Sequence, residues 1–126
     1  MNKKVLVVDD SSTMRKIIKN VLIELNIESE YISEAVNGEE AFEKIKTEDF
    51  DIVLTDWNMP KMNGLDLVKN IRHFPKSAKT PIIMITTEGC RDEVIDALKC
   101  GVNNYIVKPF NGEVLRNKLL PILEKL

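Results

Sequence analysis

The ten residues from Asp51 to Pro60, DIVLTDWNMP, decide the fold of this chain. The apolar run from Ile52 to Leu54 is short and predicts a buried strand. The strand stops at the acid Asp56, and Pro60 cannot continue it because proline has no backbone N–H. Folds that alternate strands and helices place their ligands at the carboxyl ends of such strands. We therefore interpret Asp56 as the reacting group; an acid that merely caps a turn is the alternative.

The chain has 126 residues, enough for one hydrophobic core, and we expect a single domain over residues 1–126. Its net charge of -2 gives no basic surface for nucleic acid or for an anionic membrane. No apolar stretch approaches the roughly 20 residues that span a bilayer, and no signal-peptide pattern begins the chain. Cys90 and Cys100 are too far apart along one helical segment for a disulfide. We expect both to be reduced, as in a cytoplasmic protein.

Four further segments have the apolar runs or the residue types of strands. They are Val5–Val8, Tyr31–Val36, Pro81–Thr87 and Tyr105–Val107. The segment Tyr31–Val36 is the more polar one and predicts an edge strand. Helical periodicity predicts helices near residues 14–25, 39–46, 65–72, 91–99 and 112–126. The alternation predicts an α/β fold, (βα)5, with a doubly wound five-stranded parallel sheet covered on both faces.

The helix patterns also predict which side chains face the core. In the first helix the apolar stripe includes Ile17. In the fourth helix Val94, Ile95 and Leu98 fall on one side. Pro121 lies inside the last helix pattern, where it removes a backbone donor. It predicts a kink in that helix or an end to its regular first half.

Four of the predicted strands end in a charged or reactive residue. These residues are Asp9 and Asp10, Asp56, Thr86 and Lys108. Because the carboxyl ends of parallel strands share one edge, the side chains can converge in one cleft. Carboxylates this crowded repel by a few kcal/mol each at an effective dielectric constant of about 20, so a cation is needed. Mg²⁺ suits oxygen ligands of this kind, Lys108 can bind a phosphate as a point charge, and Thr86 offers a hydroxyl.

An acid nucleophile, a divalent cation, a lysine and a threonine are the groups needed to move a phosphoryl group onto a carboxylate. Carboxylates that form aspartyl phosphates are a known class of nucleophile. The metal and the lysine would neutralise charge on the phosphoryl oxygens. We therefore predict Asp56 as the nucleophile, assisted by Lys108 and Thr86, with Mg²⁺ as the cofactor.

At this point the sequence resembles the receiver domains of two-component response regulators, over its whole length. The resemblance rests on separated segments that agree in order and spacing. They are Val7–Ser11, Asp56–Pro60 with Gly64, Ile85–Thr87 and Tyr105–Phe110. Within the family it is similar to the single-domain chemotaxis regulators. The resemblance implies a flavodoxin-like strand order, 2-1-3-4-5.

The resemblance also implies roles for the acids. Asp56 matches the phosphoacceptor. Asp10 and Asp56 match the metal-binding carboxylates, Asn58 adds its backbone carbonyl, and Asp9 acts mainly through metal-bound water. Asn58 and Glu88 match the positions that tune the lifetime of the aspartyl phosphate.

On the other strands the resemblance implies the parts of a switch. Lys108 matches the lysine that pairs with the phosphoryl group, and its bond to Pro109 matches a cis peptide of the family. Thr86 matches the switch hydroxyl. Tyr105 matches the aromatic residue whose side chain turns inward in the active state.

The partners implied by the resemblance are proteins. A histidine kinase would supply the phosphoryl group, a flagellar motor switch protein would receive the signal, and a phosphatase would be a further partner. Since no effector domain follows Leu126, we expect output by protein contact from a monomer. We expect a signalling switch and not an enzyme that turns over small molecules.

Three other functions are kept open. A single-domain phosphorelay carrier would pass the phosphoryl group to another histidine protein, and the motifs do not exclude it. A Mg²⁺-dependent phosphatase or phosphotransferase would need a second acid two residues after the nucleophile, where this chain has Asn58. A flavin-binding electron carrier would need a hydroxyl- and glycine-rich phosphate loop where this chain has Asp9 and Asp10, which repel phosphate.

Overall fold

The computed structural model of the protein describes residues 3–87, 89 and 91–126. Within that part the strands form one parallel sheet with the order β2-β1-β3-β4-β5. The strands are β1 (Val5–Val8), β2 (Ile32–Ala35), β3 (Ile52–Thr55), β4 (Ile82–Thr86) and β5 (Asn104–Val107). The predicted α/β class and strand order are confirmed, and β2 is an edge strand as expected.

Helices cover both faces of the sheet. They are α1 (Ser12–Glu24), α2 (Gly38–Thr47), α3 (Gly64–His73), α4 (Arg91–Cys100) and α5 (Gly112–Glu124). Short 3-10 turns occupy Ser29–Tyr31 and Pro75–Ser77. In the described part of the chain, four helices begin with a side-chain cap, in which an oxygen accepts the backbone N–H three residues later. The caps are Ser11, Asn37, Asn63 and Asn111.

The sheet separates two apolar clusters, because alternate side chains of a strand point to opposite faces. Val5 and Val7 of β1 pack in the cluster with α1 and α5. Leu6 and Val8 pack in the cluster with α2, α3 and α4. β1, β3 and β4 are buried along their whole length. This burial explains why their sequences are continuous apolar runs without alternation.

Two helix faces differ from the prediction. Leu98 is 47% exposed, whereas Ala97 is fully buried against the sheet. The packed stripe of α4 is therefore centred on Ala97, whose small side chain lets the helix approach, and Leu98 turns outward. In α1, Ile17 is exposed, and the buried side of the helix is formed by Ile18, Val21 and Leu22.

α5 continues through Pro121 to Glu124, so of the two predicted outcomes, a kink or an end to the regular first half, the end does not occur. Pro121 is exposed. Leu119 and Leu123, on either side of it, are buried in the core. Their packing holds both halves of the helix against the sheet, which offsets the hydrogen bond that proline removes. Within the described residues, no helix combines the length and apolar character needed to cross a membrane.

Candidate functional site

The sheet register brings the two key acids side by side. Val8 of β1 is paired with Thr55 of β3, so the next residues, Asp9 and Asp56, leave adjacent strands at the same edge. The backbone N–H of Asp56 donates to the Val8 carbonyl at 2.9 Å. Both acids are thus positioned by rigid backbone in the centre of the sheet.

Three carboxylates meet at this edge. Asp9, Asp10 and Asp56 each offer an oxygen atom, and these atoms all lie within 4.8 Å of one another. Asp9 is 1% exposed and Asp56 9% exposed, while Asp10 faces solvent. A set of carboxylate oxygens open to water on one side fits Mg²⁺, which takes one or two carboxylates and keeps several waters.

Lys108, directly after β5, supplies a cation to the cluster. Its Nζ atom donates to Asp9 Oδ2 at 2.9 Å and to Asp56 Oδ2 at 3.2 Å. The lysine side chain is only 12% exposed, so these ion pairs are largely shielded from water. Three carboxylates and one ammonium sum to a formal charge of -2, which a divalent cation would balance.

The cluster is electrostatically unfavourable for its most buried acid. Burial raises the pKa of the Asp9 carboxyl above its ordinary value, and the nearby Asp56 charge acts in the same direction. The backbone N–H of Ser11, 2.9 Å from Asp9 Oδ1, and the Lys108 ammonium oppose that rise in pKa. The site therefore holds a carboxylate that its surroundings compensate only in part.

The Asp56 carboxylate is held from two directions. The backbone N–H of Trp57 donates to Oδ1 at 2.7 Å, and Lys108 reaches Oδ2. The loop after Asp56 then folds back, since the Gly64 N–H donates to the Trp57 carbonyl at 2.7 Å. Gly64 is buried against the Asp56 backbone.

β4 and β5 bring the remaining predicted residues toward this edge. Thr86, the last residue of β4, is fully buried. The Lys108 N–H donates to the Thr86 carbonyl at 2.8 Å, which ties the two strand ends together. Tyr105 lies three residues before Lys108, partly buried against the cluster that contains Met84. The predicted cis bond between Lys108 and Pro109 is present.

The structure describes one of the two predicted lifetime-tuning positions. Asn58 lies exposed in the loop two residues after Asp56. Glu88 lies outside the described residues, as does Cys90. Among the described residues, Cys100 is a free cysteine.

Sequence reasoning missed Arg15, which contacts the site from α1. Its Nη1 atom donates to the Asp9 carbonyl at 2.6 Å. In the sequence Arg15 is simply a polar residue off the apolar stripe of α1. A contact between a helix side chain and the backbone of the preceding loop has no periodic signal that could have revealed it.

Comparison with known proteins identifies the family. The model of the response regulator receiver domain matches residues 5–120. The chain is 59% identical over 121 residues to Chemotaxis protein CheY1 of Helicobacter pylori, which covers 95% of this chain and 96% of that protein. It is 57% identical to a Chemotaxis protein CheY homolog of Campylobacter jejuni, over 95% of this chain and 92% of that one. Identity to Chemotaxis protein CheY-3 of Vibrio cholerae is 49%, over 99% and 95% of the two chains.

Solved structures agree with this assignment. The chemotaxis response regulator CheY4 of Vibrio cholerae superimposes with a TM-score of 0.88 at 34% identity, over 97% of this chain and 99% of that one. A receiver domain from Francisella, 33% identical, gives a TM-score of 0.84 over 98% of each chain. The chain belongs to the response regulator receiver domain family, and its relatives include chemotaxis proteins.

Proposed function

We propose that this protein is a phosphorylation-activated response regulator that accepts a phosphoryl group on Asp56 from a histidine kinase. The observation that carries the proposal is the convergence of Asp9, Asp10, Asp56 and Lys108 in one cleft. The chemistry of that cleft is acid nucleophile plus cation binding, and residues 1–126 would act as one receiver domain.

The transfer would be a displacement at phosphorus. A carboxylate oxygen of Asp56 forms a bond to the phosphorus of a phosphohistidine, and the phosphorus–nitrogen bond breaks as the imidazole leaves. The Lys108 ammonium, already within 3.2 Å of Asp56, stabilises the charge on the phosphoryl oxygens. The electron pair of the broken bond stays on the imidazole nitrogen.

Mg²⁺ would be held by the carboxylates of Asp10 and Asp56 and the backbone carbonyl of Asn58, with Asp9 acting mainly through metal-bound water. When bound, it would supply further positive charge to the phosphoryl oxygens. The chain's own contribution is to hold the carboxylates close together at a sheet edge, where Lys108 alone does not balance their charge. Asn58 and Glu88 are proposed to tune how long the aspartyl phosphate persists.

Activation would begin with the added charge of about -1.5 to -2 on Asp56. The Thr86 hydroxyl and the Lys108 ammonium would move toward the new phosphoryl oxygens, and Tyr105 would turn inward into the space that Thr86 leaves. Converting a population from nearly all inactive to nearly all active takes about 5.5 kcal/mol of differential binding. Charge-assisted hydrogen bonds, together with a partner that prefers the active form, would supply that difference.

The proposed output surface is the α4–β5–α5 face. Large apolar side chains are exposed on each of its three elements: Leu98, Val107, Val114 and Leu120. Tyr105 lies on its central strand. We propose that this face binds a flagellar motor switch protein in chemotaxis, because several relatives are chemotaxis proteins. The kinase, the motor protein and a phosphatase are the proposed partners of a cytoplasmic monomer.

Labelling tests the acceptor. With acetyl phosphate or a phosphohistidine kinase in Mg²⁺, wild type should be labelled and Asp56→Asn should not. Asp66→Asn, at an exposed acid in the first turn of α3, is the matched control and should be labelled like wild type. Full labelling of Asp56→Asn would remove Asp56 as the acceptor.

Binding tests the output. Phosphorylated protein should bind a motor switch protein more tightly than unphosphorylated protein does. If phosphorylated protein instead passes its label to a second histidine protein and shows no motor affinity, the phosphorelay alternative is correct.

A further inference from the structure

The Arg15 side chain donates a hydrogen bond to the backbone carbonyl of Asp9, between the two adjacent acids Asp9 and Asp10. Arg15 Nη1 lies 2.6 Å from the carbonyl oxygen of Asp9. That carbonyl belongs to the peptide unit that joins Asp9 to Asp10. A bond to it therefore fixes the orientation of the backbone from which the Asp10 side chain projects.

Arg15 is itself held at both ends. Its backbone N–H donates to the Ser11 carbonyl at 3.0 Å, in the first turn of α1. Its Nε atom donates to Glu34 Oε1 on β2 at 3.1 Å. The Arg15 side chain is 14% exposed, so the planar guanidinium is packed as well as bonded. The main chain of Glu34 is tied in turn by a hydrogen bond from Lys44.

The two acids differ in how they are positioned. The Asp9 carboxylate is buried and accepts from Ser11 and Lys108. The Asp10 carboxylate is exposed, and none of the hydrogen bonds found among the described residues reaches it. Its place in the cluster therefore depends on the peptide that precedes it, which is the one that Arg15 holds.

We propose that Arg15, oriented by Glu34, is a positioning residue that presents the Asp10 carboxylate to a divalent cation. The inference rests on the proposed function of the same site and adds to it a residue outside the strand-end motifs. Groups that orient metal ligands from outside are worth about 10–100-fold in metal affinity.

The direction in which Mg²⁺ affinity changes when Arg15 is replaced distinguishes a positioning role from a purely electrostatic one. A cation beside three carboxylates repels Mg²⁺, so loss of charge alone would tighten Mg²⁺ binding or leave it unchanged. Loss of positioning would weaken binding. Glu34 already pairs with the guanidinium, which makes the electrostatic contribution small and the expected sign clear.

The experiment measures the Mg²⁺ dissociation constant by calorimetry, with the fluorescence of Trp57 as a second readout. Trp57 is the single tryptophan of the chain, and its backbone N–H donates to the Asp56 carboxylate. Arg15→Gln should weaken binding by about tenfold. Lys16→Gln, which removes one positive charge from an exposed neighbour, should stay within about twofold of wild type. Arg15→Gln binding within about twofold of wild type, or more tightly, would overturn the proposal.

Arg15→Lys gives an independent test if Arg15→Gln does not fold. It keeps the positive charge, but a lysine cannot bind the Asp9 carbonyl and the Glu34 carboxylate together as the guanidinium does. The Mg²⁺ dissociation constant should therefore still rise by more than about twofold, and an unchanged constant in folded Arg15→Lys would contradict the positioning role.

Labelling by acetyl phosphate adds a readout that a general structural defect would not reproduce. For Arg15→Gln the Mg²⁺ concentration at half-maximal labelling should rise, while the rate at saturating Mg²⁺ should match that of wild type. A lower rate at every Mg²⁺ concentration would count against positioning. If wild type itself binds Mg²⁺ but is never labelled, the proposed function fails and the calorimetric result for Arg15 still stands.

Discussion

A Cβ atom built on Gly64 would lie 2.0 Å from the carbonyl oxygen of Asp56. The neighbouring atoms are backbone, so no side chain can move aside to make room. We expect Gly64→Ala to lower the free energy of unfolding by about 3 kcal/mol, at the upper end of overpacking penalties. Urea unfolding followed by circular dichroism measures the loss.

Gly112→Ala is the matched control. There the new Cβ would meet the end of the flexible Arg116 side chain at 3.1 Å. Gly112 also lies in the first turn of α5, where alanine reduces the freedom of the unfolded chain. We expect a change of less than about 1 kcal/mol, with either sign. Equal losses at Gly64 and Gly112 would show that the close approach to Asp56 is not what excludes a side chain.

Lys108→Met should make the protein more dependent on Mg²⁺. The variant leaves three carboxylates within 4.8 Å without their cation, and breaking a buried pair destabilises by about 3–5 kcal/mol. A divalent ion would meet less repulsion and bind more tightly. The gain in unfolding free energy on adding Mg²⁺ should exceed that of wild type, with exposed Lys118→Met as control. A smaller gain than in wild type would contradict this account of the cleft.

Asp9→Asn removes one buried carboxylate but leaves Lys108 paired with Asp56. It should therefore stabilise the protein in Mg²⁺-free buffer at neutral pH by about 1 kcal/mol, as is common where a functional site holds unfavourable charge. Burial raises the pKa of the Asp9 carboxyl. This group's contribution to stability therefore falls as pH rises from its unfolded pKa of about 3.9 to its higher folded pKa. The gain in unfolding free energy from Asp9→Asn should grow as pH rises between these two pKa values and should be small below them. Urea unfolding at several pH values would measure it. Destabilisation of Asp9→Asn at neutral pH would show that the Lys108 pair outweighs burial.

The Arg72 guanidinium joins α3 to two loops at the opposite edge of the sheet. It donates to the carbonyls of Gly101 at 2.7 and 3.1 Å, Thr80 at 2.6 Å and Ala78 at 3.2 Å. It also donates to Asn103 Oδ1 at 2.8 Å. Lysine cannot reach these acceptors together, so Arg72→Lys should cost about 2–3 kcal/mol in unfolding free energy.

Arg116→Lys is the control for Arg72→Lys. Arg116 pairs with Glu24 across the surface at 2.6 Å, and both side chains are exposed. Such pairs contribute about 0–1 kcal/mol. Urea midpoints that shift equally for the two variants would show that the carbonyl contacts of Arg72 contribute little.

Thr86→Val should separate phosphorylation from signalling. The hydroxyl is lost while the buried volume at the end of β4 is nearly kept. We expect normal labelling of Asp56 and a gain in motor affinity on phosphorylation that is smaller by about tenfold, within the usual range of coupling between sites. Exposed Thr87→Val is the control. A full gain in affinity for Thr86→Val would exclude the hydroxyl from the switch.

The elements that sequence predicts best are those whose signal is local and continuous. Val5–Val8 is a strand with the predicted bounds. The run is apolar, rich in β-branched valine and too short for a helix, and these features favour a buried strand. The convergence of Asp9, Asp56 and Lys108 was also predictable. Parallel strands end at one edge of the sheet, and the strand order implied by the resemblance places β1 and β3 side by side. The long side chain of Lys108 then reaches both acids from β5.

The features that were missed depend on packing between elements. The outward turn of Leu98 follows from the fit of Ala97 against the sheet, and periodicity does not tell which of two adjacent apolar residues packs. The continuity of α5 through Pro121 depends on leucines that anchor it on both sides. The contact from Arg15 to the Asp9 carbonyl needs the angle between α1 and β1, which no sequence pattern encodes.

The main-chain hydrogen bond between Lys108 and Thr86 has a mechanical consequence. The Thr86 hydroxyl and the Lys108 ammonium are both proposed to bind the phosphoryl group. The backbone N of Lys108 and the carbonyl O of Thr86 are only 2.8 Å apart. When the end of β4 moves, the end of β5 must therefore move with it. A conformation in which only one of the two residues contacts the phosphoryl group would distort this hydrogen bond. We therefore expect a two-state transition, with intermediate conformations of the β4 and β5 ends sparsely populated.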